Sequence, residues 1–130
     1  MSDSSTVILY HGTDFDSALK ILNYGLDPQD LEFWQRGRRL QSGPGWYTTD
    51  DIIAASYFAS IAPGNRNRGN TIIVMEMFLE HLEMLLEQGV CRKETIRNVY
   101  FEAEQYWFDL KTLSFLNENA IFRPYFWEDQ

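Results

Sequence analysis

Apolar positions along this chain follow two rhythms, and the rhythm changes where glycine, proline or aspartate intervenes. Thr6–Tyr10 is a short β-branched and apolar run that reads as a buried strand, stopping at His11-Gly12-Thr13. From Phe15 to Tyr24, Ala18, Ile21 and Leu22 share one helical face. Asp14 or Thr13 caps that helix, and Gly25 stops it, with Leu26 making the accompanying apolar contact. Pro28 opens a second short helix that reaches Trp34. Arg36–Gly45 has three glycines and a proline and reads as a loop. Trp46–Thr49 is short and strand-like, and Asp50 caps a helix running to about Ile61, which Pro63-Gly64 ends. A polar loop, Pro63–Asn70, leads to the strongest strand, Thr71–Phe78, on which Glu76 is expected to point outward. His81–Gln88 reads as a helical turn or two, closed by Gly89.

The next segment is ambiguous. Between Lys93 and Phe108, the aromatics Tyr100, Phe101, Tyr106, Trp107 and Phe108 suit either a strand pair or an amphipathic helix. Ala120–Trp127 closes as a strand, and Pro124 marks an edge position or a bulge. The mixed order of elements predicts an α+β domain, or an irregular α/β one.

Composition narrows the class. The length of 130 residues suits one domain, and 45% hydrophobic residues suffice for a core. No apolar run approaches the roughly 20 residues a membrane-spanning helix needs, so no membrane partner is expected. Met1–Thr6 lacks the basic and apolar stretches of a signal peptide. A cytoplasmic site is therefore expected, or delivery into a target cytosol without such a peptide. The single cysteine, Cys91, allows no internal disulfide, and with His11 and His81 far apart no metal site is expected. The Asp14/Asp16 and Asp50/Asp51 pairs read as helix caps, and neither a Walker loop nor a Gly-x-Gly-x-x-Gly run is present.

The net charge is −8, placed unevenly: −5 over residues 1–35, +3 over 36–70 and −6 over the rest. The overall sign argues against non-specific phosphate binding. Arg36, Arg38, Arg39, Arg66 and Arg68 in the middle segment are solvated loop residues or a local attraction for an anionic ligand.

Two segments carry candidate chemistry. Leu9-Tyr-His-Gly-Thr13 sets an imidazole beside a bare backbone at a strand end, where a flat amide could bond the main chain. Gly43-Pro-Gly45-Trp-Tyr47 opens space beside Tyr47, whose ring can wall a slot for a planar heterocycle, with Tyr57 as the opposite wall. The same residues also serve as a plain strand end, a turn and core aromatics.

In this order the segments resemble the ADP-ribosyltransferase superfamily, in its poly(ADP-ribose) polymerase and diphtheria-toxin-like branch. That branch has a His, a Tyr and a Glu on three separate strands. The likeness runs over His11-Gly12-Thr13, Ile21–Leu26, Gly43-x-Gly45-Trp-Tyr47 with the alanine-rich helix ending in Tyr57, Ile72–Met77 and Leu116–Phe122, about residues 8 to 123. It implies a split β-sheet core flanked by helices and NAD as substrate. His11 would bond the adenosine-side ribose, Gly12 would hold the nicotinamide carboxamide through its backbone, and Thr13 would support that turn. Gly45 would leave room beside Tyr47, and Tyr47 and Tyr57 would sandwich the nicotinamide. Glu118, at the opening of the last strand, would bond the 2′-hydroxyl of the nicotinamide ribose, with Glu104 as its rival for catalytic acid.

Such a site needs no metal. Nicotinamide leaves as a neutral amine through an oxocarbenium-like transition state, and one carboxylate stabilises the developing positive charge. The expected activity is mono-ADP-ribosyl transfer to an unknown protein or nucleic-acid acceptor, as in a toxin or effector. Leu116 stands two residues before Glu118, where arginine-specific members carry a second acid, which argues against arginine as acceptor. The alternatives are an NAD glycohydrolase, a catalytically silent module of the same fold, and an RNA 2′-phosphotransferase, the last poorly served by the net charge.

Overall fold

The computed structural model describes residues 5–35, 40, 42–61 and 71–125. Strand β1 (Thr6–Thr13) is followed by helices α1 (Phe15–Tyr24) and α2 (Pro28–Trp34), strand β2 (Gly45–Thr49) and helix α3 (Ile52–Ile61). Strand β3 (Thr71–Phe78) leads directly into α4 (Leu79–Glu87), and β4 (Cys91–Arg97) and β5 (Glu102–Asp109) form a hairpin. A 3-10 turn (Leu110–Thr112), α5 (Leu113–Asn119) and β6 (Ile121–Pro124) complete the described chain. The fold is α+β: six antiparallel strands in the order β4-β5-β2-β1-β3-β6, flanked by helices. All five arginines of the positive segment lie outside the described residues, as do most of the two loops that carry them.

Local chemistry sets the boundaries. Asp14 accepts from the Ser17 backbone N–H at 2.8 Å, and the Gly25 N–H donates to the Ile21 carbonyl, so α1 begins and ends at its expected caps. Asp27 caps α2 with Pro28 in the first turn. At α3 the capping carboxylate is Asp51, which accepts from the Ile53 N–H, while Asp50 accepts from the Glu104 N–H and ties β2 to β5. The aromatic segment after Lys93 resolves as a strand pair because Ala103, Trp107 and Phe108 bury on the sheet while the intervening positions stay half exposed.

The main correction concerns the C-terminal segment. Residues 113–119 form a helix, not the approach to a strand. Asp109 accepts from the Lys111 N–H and Thr112 donates to the Asp109 carbonyl, which starts the turn. Leu113 and Leu116 then bury on one helical face. Asn117 extends the anchorage: its amide bonds both the N–H and the carbonyl of Leu26, each at 2.8 Å, across 91 residues of sequence. β6 is an edge strand paired with β3, as Pro124 requires. Glu76 on β3 accepts from Thr6 and Arg123.

The core lies around Trp46, Phe108, Ile73, Met75, Leu113 and Leu116, all fully buried. The sheet is nearly cut in two. β1 and β3 pair along their whole length, and β2 and β5 pair along β2, but β1 and β2 share a single bridge, Tyr10 to Thr49. Beyond Tyr10 the strands part, and the candidate site lies in that parting. Among the described residues no helix is long and apolar enough to cross a membrane.

Candidate functional site

A cavity of about 460 Å³ opens where β1 and β2 separate. Its walls come from His11, Gly12 and Thr13 of β1, Tyr47–Thr49 of β2, Phe58 and Ile61 of α3, and Gln105 of β5. Leu31, Trp34, Gln35 and Leu40 close the α2 side, and Ile96 the β4 side.

His11 sits in the parting itself. Its ring stacks on Trp46 with centroids 3.8 Å apart, and its Nδ1 lies 2.6 Å from the Tyr47 carbonyl. A carbonyl only accepts, so Nδ1 carries the proton. The side chain thus bonds a β2 carbonyl where the two strands no longer pair. Burial drives the imidazole pKa down to about 4, so the ring is neutral near pH 7. Nε2 is then left as an acceptor, with no bond to any described residue.

Gly12 has a packing role that the sequence left open. A Cβ there would lie 1.9 Å from the Ala55 carbonyl oxygen and 2.6 Å from the Ala59 nitrogen. The glycine therefore lets α3 rest directly on β1, through the small residues Ala55 and Ala59. Thr13 beside it is buried.

Tyr47 lines the cavity with its phenol held in place. The hydroxyl donates to the Gly43 carbonyl at 2.6 Å and accepts from the Ser42 N–H at 3.0 Å. Burial, opposed by that Ser42 bond, raises the phenol above its usual pKa. Gly45 has two neighbours, the Trp107 indole and the Phe108 carbonyl, that leave no room for a side chain. A Cβ would meet the Trp107 indole nitrogen at 2.2 Å, while its own N–H and carbonyl are clamped by the Gln35 amide at 3.0 and 2.8 Å. Gln35, Trp107 and Tyr47 together fix the mouth of the loop before β2.

Four expected site residues stand elsewhere: Gly45, packed against Trp107 as described, lines no part of the cavity, and neither do Tyr57, Glu118 and Glu104. Tyr57 is outside the cavity lining; its ring packs against Phe58, Tyr100 and Phe101 at 5.6 to 5.9 Å. A helix turns about 100° per residue, and Phe58, one position on, faces the cavity in its place. Glu118 is exposed near the end of α5 and contributes nothing to the lining; Leu113 and Leu116 take the inward positions of that helix, and Asn117, itself exposed, bonds Leu26. Glu104 accepts from Thr95 at 2.9 Å on the sheet face opposite Gln105, beside Asp50 and Arg97. The sequence did not single out Gln105, Ile96 or Phe58. Period-two alternation along β4 and β5 would have found the first two, had the aromatic segment been readable as strands.

Among the described lining residues the one carboxylate is Asp14, and its two oxygens cap α1 through Ser17. The described residues hold no cluster of three or more His, Cys, Asp or Glu suited to a metal ion. Cys91 is buried, and burial pushes its thiol up to about 12, so no thiolate is available. No family model matches the chain, and no curated protein matches it.

Proposed function

We propose that the chain is an NAD-dependent mono-ADP-ribosyltransferase acting in a cytosol, on a minimal ADP-ribosyltransferase-like core. One observation carries the reading: His11, Gly12, Thr13 and Tyr47, from two segments 34 residues apart, line one cavity at the parting of β1 and β2. Its volume is in the range of small-molecule sites.

The residues present fit the nicotinamide–ribose half of NAD. Bound NAD supplies a ribose from which nicotinamide departs as a neutral amine with the electron pair of the broken C–N bond. Tyr47, immobilised by Ser42 and Gly43, offers its ring to the flat pyridine. The unpaired margin of β1 at Gly12–Thr13 offers main-chain groups to the carboxamide. Neutral His11 accepts a ribose hydroxyl at Nε2 while Nδ1 stays on Tyr47. Phe58, not Tyr57, is the aromatic residue of α3 placed to close the slot. Positioning of this kind lowers the barrier by removing the freedom of the leaving group and acceptor. The acceptor, a protein or nucleic-acid group, attacks the anomeric carbon and loses its proton to solvent.

One observation favours a second reading, a silent module that binds NAD or ADP-ribose without cleaving it: Asp14, the lining's carboxylate, is committed to its helix. Purified protein with NAD separates the two. Nicotinamide appearing in proportion to protein, and lost in Tyr47→Ala, supports the transferase. Free ADP-ribose without a modified partner selects a glycohydrolase. Saturable NAD binding without nicotinamide release selects the silent module, and neither binding nor release ends the NAD reading.

A further inference from the structure

Where the β4–β5 turn meets α3, the fold leaves an apolar surface open. Ile53, Tyr57 and Ile61 stand at i, i+4 and i+8 on α3, so they run along one side of that helix. Ile53 and Ile61 are 52% and 56% exposed. Beside them the turn presents Val99 and Tyr100, which are 91% and 71% exposed. The Tyr57 ring joins helix to turn, with the Tyr100 and Phe101 rings 5.9 and 5.6 Å away.

The turn is closed by its own hydrogen bonds. The Asn98 side-chain oxygen accepts from the N–H groups of Tyr100 and Phe101 at 2.8 and 3.1 Å, and the Asn98 N–H donates to the Phe101 carbonyl at 2.9 Å. Val99 and Tyr100 therefore project from an ordered turn. Contiguous apolar groups held in water on an ordered element mark a surface that a partner covers. Charge narrows the choice of partner. Neither α3 nor residues 98–101 carry a charged side chain. At the flank, Asp51 caps α3 at Ile53. On the other face of the hairpin, Asp50, Arg97, Glu102 and Glu104 line one hollow. Arg97 is paired with Glu102, and Lys93 on that face lies over the Tyr106 ring at 5.9 Å. Among the described residues no cation forms an ion pair with Asp50 or Glu104.

We propose that this end of the molecule docks a cationic polypeptide segment of another protein. An apolar side chain seats on Tyr57, Val99 and Tyr100, and a lysine or arginine reaches round the turn to Asp50 and Glu104. Unlike charges set the orientation and speed the encounter, while the tyrosine rings supply the anchoring contact. The same acids disfavour other occupants. A second copy would set like carboxylates against each other across a two-fold axis. Nucleic acid and anionic lipid would bring phosphate to an acidic surface. The surface stands apart from the NAD reading and does not depend on what the cavity binds.

The test uses the full chain and a phage-displayed library of random peptides. Panning on the parent, with counter-selection on Tyr100→Ser, should enrich sequences that combine Leu, Phe or Trp with Lys or Arg and lack Asp and Glu. A synthetic peptide of the enriched sequence, titrated by fluorescence anisotropy, should bind Tyr100→Ser on the order of tenfold more weakly than the parent. Glu104→Gln, which keeps an acceptor for Thr95, and added salt should each weaken binding several-fold. Tyr100 is exposed, so the variant should keep the parent's melting temperature; Val99→Ser repeats the measurement with every ring in place. Enrichment of no sequence family, or of sequences without cations, refutes the proposal. Affinity indifferent to Tyr100 and Val99, or to Glu104 and salt, refutes it as well. Parent dimers in sedimentation that Tyr100→Ser abolishes assign the surface to a second copy and overturn it. Parent binding to phosphatidylcholine vesicles that the same variant abolishes assigns it to a membrane, with the same consequence.

Discussion

Protonating His11 should destabilise this fold by an amount the structure sets. The ring lies on Trp46 and donates through Nδ1 to the Tyr47 carbonyl, and its surroundings hold its pKa near 4 against an ordinary 6.5. In the unfolded chain the imidazole takes up its proton as the pH falls through the ordinary value, while the native ring refuses it. Between those two values the unfolded state binds more protons, so acid favours unfolding. The stabilising contribution is intact above about pH 6.5, declines below it, and is gone near pH 4. At 1.36 kcal/mol per pKa unit the loss reaches about 3 kcal/mol as an upper limit, because the ring is partly open to solvent.

Urea unfolding of the parent and of His11→Gln at pH 7.5, 5.5 and 4.5 isolates this contribution. The amide of Gln can still donate to a carbonyl but does not titrate, and every other ionisable group cancels in the difference. The parent should lose about 2–3 kcal/mol more than the variant across that range. Parallel curves, or a histidine resonance at position 11 titrating near pH 6.5, would show that the ring is solvated and charged. The neutral-acceptor role at Nε2 would then fall as well.

Other consequences can be measured on the same footing. Gly12→Ala drives a methyl into the backbone of α3 at Ala55 and Ala59, and should cost about 3 kcal/mol or more in urea unfolding, or prevent folding. Asn117→Ala leaves both polar groups of Leu26 without their partner and should cost about 1–3 kcal/mol, with α1 and α5 showing faster amide exchange. Tyr47→Phe removes the bonds to Ser42 and Gly43; it should cost about 1 kcal/mol and loosen residues 42–44, visible as lost amide protection at Ser42. Cys91 should resist alkylation in the native protein at pH 8 and react only on unfolding, because its thiol is buried and its pKa raised.

What could be read from the sequence divides along a physical line. α1, α2 and β3 were legible to the residue because their signals are local: Asp14 and Gly25, Pro28, and a β-branched run, Thr71–Val74, continued by mostly apolar residues to Phe78. β4, β5 and α5 were not. The aromatic sequence Tyr106-Trp107-Phe108 satisfies both periods until its neighbours β2 and β4 are known. Residues 113–119 form a helix partly through Asn117, whose partner Leu26 is 91 residues distant. The candidate site splits the same way. His11, Gly12, Thr13 and Tyr47 stand out as residue types with chemistry to offer beside glycines that open the backbone. Gln105 and Ile96 do not, since one is a common polar residue and the other a common apolar one. Their importance is a matter of register: β5 sets Gln105 opposite Thr49 on one side and opposite Glu94 on the other. That pairing sets Glu94 on the same face of the sheet as Gln105, and it exists only once the three strands are in line. Glu118 was the natural choice because an acid before an apolar strand is a local pattern. In the structure Glu118 is exposed on α5, a helix tied to the distant Leu26 by Asn117, and it lies outside the cavity lining. The lining of the cleft therefore turns on strand register, since Ile96 and Gln105 reach it only once β4 and β5 pair with each other and with β2.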